Sequence, residues 1–121
     1  MLPMADKEFF ETISVLIKAK LEKAYQMGDL VDITGIYGIG TSFTLTAFAK
    51  EKGFGVIVAS NDSASHLRSS FNYPHVYSVY DTPDPNVVKN VVIDAGITKV
   101  FVEQQNLTVQ TGYHRKESRR I

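Results

Sequence analysis

Between residues 6 and 27 apolar side chains return every three or four positions, at Phe9, Phe10, Ile13, Leu16, Ile17, Leu21 and Ala24, while Lys18, Lys20, Glu22 and Lys23 fall off that stripe. This spacing predicts an amphipathic helix. Asp6 suits its start and Gly28 its stop. Leu30 to Thr34 reads as a short strand running straight into Gly35-Ile-Tyr-Gly-Ile-Gly40. Thr41 to Lys52, with Phe43, Leu45, Ala47, Phe48 and Ala49, predicts a buried helix ended by Gly53. Phe54 to Ala59 is a continuous apolar run of the kind expected of a strand covered on both faces.

Further along, Asn61, Asp62 and Ser63 form a capping turn before a helix over about 63–70, and Val76 to Tyr80 alternates as a third strand. Pro85 suits the first turn of a helix carried through Ala95 and stopped at Gly96. Lys99-Val-Phe-Val-Glu103 reads as a fourth strand, and Leu107 to Gly112 as an added edge strand. Strands alternating with helical stretches predict an α/β fold. The expectation is three layers, a mostly parallel sheet of four to five strands with helices on both faces.

The 121 residues fit one domain, divided here into the first helix (6–27), an α/β core (29–112) and a tail (113–121). A hydrophobic share of 44% and a charged share of 21% are those of a globular chain. Zero formal net charge argues against nucleic-acid binding by bulk electrostatics. The tail is basic, with Arg115, Lys116, Arg119 and Arg120 against Glu117, and is the place where nucleic acid or an acidic partner would be met. There is no cysteine, and His66, His75 and His114 lack metal-ligand spacing. No apolar run approaches the roughly 18 residues of a membrane span, so no membrane partner and a cytoplasmic location are expected.

The glycine turn carries the chemistry. Glycines at the first strand-to-helix turn of a parallel sheet let backbone N–H groups close on phosphate oxygens, and the following helix adds its dipole. Gly35-x-x-x-x-Gly40-Thr41-Ser42 resembles the Walker A loop of P-loop NTPases, G-x-x-x-x-G-K-[ST], with Thr41 at the lysine position. By that resemblance Gly35, Gly38, Ile39, Gly40, Thr41 and Ser42 would surround ATP or GTP, and Ser42 would hold Mg. Val100-Phe-Val-Glu103-Gln104 resembles a Walker B strand, which puts Glu103 at the metal-binding position and Gln104 where a catalytic base would stand. The whole is similar to the N-terminal half of terminase- and helicase-type ATPase domains. With the lysine and the base both substituted, the resemblance implies an accessory protein of the kind phage genomes encode, binding nucleotide with little or no hydrolysis.

Two other readings compete. The same fold could be a non-enzymatic interaction module with a vestigial loop, touching a protein partner or a second copy through the first helix or through Tyr73 and Tyr77. Alternatively, Thr34-Gly35-Ile-Tyr-Gly38-Ile-Gly40 resembles the turn of atypical short-chain dehydrogenases, with Asn61 and Asp62 near the ribose-binding position. No tyrosine, however, has a lysine four residues later. Lys50, Arg68 and Lys99 are the cations considered as stand-ins for the absent Walker lysine.

Overall fold

The computed structural model describes residues 4–32, 41–94 and 96–114. In chain order the elements are α1 (Met4–Met27), β1 (Val31–Asp32), α2 (Thr41–Lys52), β2 (Gly55–Val58), α3 (Asn61–Phe71), β3 (Val76–Ser78), β4 (Asn90–Ile93), α4 (Lys99–Gln104) and β5 (Thr108–His114). The five strands form one sheet in the order β1-β5-β4-β2-β3, and every pairing is parallel. The α/β class with a parallel sheet is therefore observed.

Two departures from the sequence reading matter. The stretch after Pro85 was expected to be helical through Ala95. Instead Asp84 caps a turn through bonds from Asn86 and Val88 N–H groups, and Asn90–Ile93 is a strand. Conversely, Lys99–Glu103 is not a strand. Thr98 caps it as an N-terminal residue, accepting from the Phe101 N–H at 3.3 Å, and the segment is a short helix that buries only Val102. A third difference follows from these: β5 is not an edge strand but lies between β1 and β4, and β1 takes the edge.

Successive strand residues face opposite sides, and the two hydrophobic clusters divide accordingly. One face of the sheet, through Val31, Val56, Val58, Val76, Val92 and Tyr113, packs on Ile17, Leu21 and Ala24 of α1, on Leu45, Phe48 and Ala49 of α2, and on Ala64 and Leu67 of α3. The other face, through Ile57, Val91 and Ile93, packs on Val88, Ile97, Val102 and Leu107. Among the described residues helices thus lie on both faces, three against one. Leu16, assigned by periodicity to the buried stripe of α1, is 55% exposed, and Ile17, Leu21 and Ala24 do the packing instead.

The β4–β5 ladder contains a bulge. Val91 pairs with Val109 but Val92 pairs with Thr111, so Gln110 is an extra residue in β5. Its amide instead donates to the Asn90 side chain at 2.8 Å. Because the side-chain period of a strand is two, one inserted residue exchanges the faces of everything beyond it. The bulge therefore turns Tyr113 toward α1 and α2, where it is fully buried.

Candidate functional site

In a parallel sheet all strands end on one edge, and the helices that follow them begin there. Gly35, Gly38, Ile39 and Gly40 lie outside the described residues. The site is therefore built from what surrounds them: the first turn of α2, the end of β4 and the end of β5.

Thr41 and Ser42 open α2. The first residues of any α-helix carry backbone N–H groups with no partner inside the helix, and the dipole adds partial positive charge at that end. Thr41 is buried and Ser42 half-buried. Threonine at position 41 has no charge to offer an anion.

Asp94 follows β4 directly. Its N–H donates to the Ile57 carbonyl at 3.0 Å, which extends the sheet ladder by one residue and fixes the backbone. Val92 faces α2 and Ile93 the opposite side, so alternation sends the Asp94 side chain toward α2. There the Ser42 hydroxyl donates to its Oδ2 atom. This bond joins residues 52 positions apart. Asp94 is 9% exposed. A buried carboxylate is costly unless it is hydrogen-bonded or holds a cation, so this placement is a specific one.

Tyr113 completes the cluster. The register pairs Ile93 with Gly112; one step further along both strands, Asp94 and Tyr113 stand side by side. Tyr113 is fully buried, and its hydroxyl has no hydrogen-bond partner among the described residues. Burial pushes the phenol far above its ordinary titration range, and the adjacent Asp94 carboxylate pushes it the same way. The phenol is thus a neutral donor at any physiological pH, not a base.

Glu103, expected at the metal position, stands elsewhere. It lies on α4, half exposed, and pairs with Lys99 at 3.7 Å in an i,i+4 bridge. The acid brought to Ser42 is Asp94, which the sequence reading had placed inside a helix. A signal for it was present: Val91-Val-Ile93 is a β-branched apolar run ending in an acid. The three stand-in cations are likewise engaged away from the site. Lys50 donates to the Phe71 carbonyl at 2.7 Å, Arg68 to the Val76 carbonyl at 2.6 Å, and Lys99 pairs with Glu103.

Elsewhere, Asn61 accepts a hydrogen bond from the Ser78 hydroxyl, and Ser60, not Asn61 or Asp62, caps α3. The dinucleotide fold sets its first two strands side by side, whereas here β5 and β4 stand between β1 and β2. Among the described residues no group of three or more His, Asp or Glu side chains could hold a metal unaided, and no helix is long and apolar enough to cross a membrane. No protein-family model, curated protein or solved structure matches the chain.

Proposed function

We propose that the chain binds a phosphate-bearing ligand, most simply a nucleoside triphosphate with magnesium, at the edge of the sheet where α2 begins, and that it does so as an accessory protein with little or no hydrolysis. The Ser42–Asp94 hydrogen bond carries the reading. It joins the residue at the hydroxyl position of the Walker-like loop to an acid at the end of an apolar strand. Asn90-Val-Val-Ile-Asp94 therefore takes the Walker B role that the sequence had suggested for Val100 to Gln104. The same alignment puts Ala95 at the position of the catalytic base, and a methyl group cannot activate water.

The donors fit magnesium. A serine hydroxyl and a carboxylate are hard oxygen ligands, and magnesium in such sites takes one or two carboxylate or hydroxyl contacts with the rest from phosphate and water. Held by Ser42 and Asp94, the ion would supply positive charge to the phosphates. That charge counts for more here than in a site with the loop lysine, because Thr41 contributes none. A phosphate chain set beside Asp94 without the ion is repelled at close range. Binding should therefore be weak, metal-dependent and largely without turnover.

Thermal unfolding with ATP, GTP and NAD(P), each with and without magnesium, tests this. A ligand at ten times its dissociation constant stabilises by about 1.4 kcal/mol, and such a gain raises the melting temperature of a domain this size by about 5–6 °C. The expected result is a rise with Mg·ATP or Mg·GTP that vanishes without magnesium and in Asp94→Asn. A flat panel would favour the interaction module, and a rise with NAD(P) alone would favour the dinucleotide reading.

A further inference from the structure

Tyr113 is hard to explain as a core residue. Its ring packs in the cluster formed by α1, α2 and the sheet, a role phenylalanine would fill without a polar atom. A hydroxyl buried without a partner is a liability, and buried tyrosines ordinarily find one. Here the described residues supply none.

The position of the hydroxyl comes from a specific backbone device. Were Gln110 paired with Val92 in a regular ladder, Gly112 would pair with Asp94, and Tyr113 would face α4 rather than α2. Bulges are common next to active sites because they re-aim a side chain. This one aims Tyr113 at the same edge, on the same side of the sheet, as Asp94 and Ser42. Close approach of the two strands there depends on Gly112, where any Cβ would meet the Ile93 carbonyl oxygen at 2.3 Å.

We infer that the Tyr113 hydroxyl is a third contact of the ligand held at Ser42 and Asp94, donating its hydrogen bond to a phosphate oxygen or to a water of the bound ion. This rests on the phosphate-binding reading above. It adds a residue that neither loop nor acid pattern points to. A tyrosine hydroxyl carries a proton it can donate to a phosphate oxygen or a water. Such a donor partly makes good the absent lysine without adding charge. The unsatisfied hydroxyl is then a stability cost kept for binding.

Tyr113→Phe separates the possibilities, because the variant removes one oxygen and keeps the ring. Titration calorimetry with Mg·ATP and a thermal melt of the free protein are run on the wild type, Tyr113→Phe and Asp94→Asn. The expected outcome is opposite movement in Tyr113→Phe: affinity falls by about tenfold or more, the loss of one hydrogen bond to a charged group. The melting temperature of the free protein holds or rises by about 3–6 °C as the orphan hydroxyl disappears. Wild-type affinity in Tyr113→Phe overturns the inference and leaves the phosphate-binding reading standing. A lower melting temperature together with unchanged affinity identifies Tyr113 as a structural residue. Absence of Mg·ATP binding in the wild type overturns both.

Discussion

Replacing Gly112 by alanine would place a Cβ 2.3 Å from the Ile93 carbonyl oxygen and 2.7 Å from the Ile93 backbone nitrogen. Real Cβ atoms do not come so close. The obstacle is backbone, and Ile93 pairs with both Ile57 and Gly112, so it cannot move aside without opening the ladder on both sides. Gly112 also holds a φ of 157°. Forcing an added group into a packed interior costs about 1–3 kcal/mol, and a residue held in a sparsely populated backbone region costs of order 1–3 more. Their sum, about 4 kcal/mol, is a large part of the roughly 5–15 kcal/mol that holds a domain folded.

Gly53 is the control. It closes α2 with a φ of 77°, but a Cβ there meets nothing within 4 Å. Gly53→Ala should therefore cost only the left-handed backbone term of about 1–2 kcal/mol. Urea unfolding followed by circular dichroism reads the difference. With a slope of about 1.5 kcal/mol per M, the midpoint should fall by about 2.5 M in Gly112→Ala and by about 1 M in Gly53→Ala. Equal midpoints for the two variants would refute the close strand approach, and with it the placement of Tyr113 beside Asp94.

Two further outcomes follow from the site. Tyr113 titrates in the folded protein well above its unfolded value of about 10. The folded state therefore keeps a proton that the unfolded state loses, and stability is full below pH 10 and falls as pH rises beyond it. By pH 11 this loss should reach about 1.4 kcal/mol, and Tyr113→Phe should lack that part of it when alkaline unfolding curves are compared. Thr41→Lys should tighten Mg·ATP binding by at least about tenfold, because a charge restored in a poorly solvated site is worth more than 1.4 kcal/mol; calorimetry showing no gain would count against the loop alignment.

The parts of the fold legible from the sequence were those where one local signal dominated. α2 stops at Gly53, β2 is a continuous buried run, and α3 begins in the polar stretch Ser60 to Ser63; all three stand near their expected bounds. Residues 85–104 depart from their local pattern for a physical reason. Val100, Phe101 and Val102 form an apolar run that suits a strand, yet α4 is a helix of six residues settled by its Thr98 cap and by burial of Val102. Val91, Val92 and Ile93 are β-branched and fit a buried strand, but Pro85 as a helix start and Gly96 as a helix stop point to a helix. That exchange hid Asp94 and promoted Glu103. Nothing local marks the Gln110 bulge, since its register is set by β4, so the facing of Tyr113 could be known only from the fold. Ser42 follows from its motif alone, and the run ending in Asp94 marks an acid, but only the fold joins the two across 52 positions.

The sheet order also shapes how this polypeptide is made. Among the described residues β1 pairs with no strand but β5. The Thr111 hydroxyl reaches back to the Asp29 carbonyl, 82 residues away. A ribosome adding about 5–20 residues per second needs roughly 4–16 s to cover that gap. Throughout it, the earliest strand leaves the exit tunnel with its neighbour still unmade. α1 and β1 must wait, tethered, and the sheet gains β1 as its edge only when β5 slides between β1 and β4.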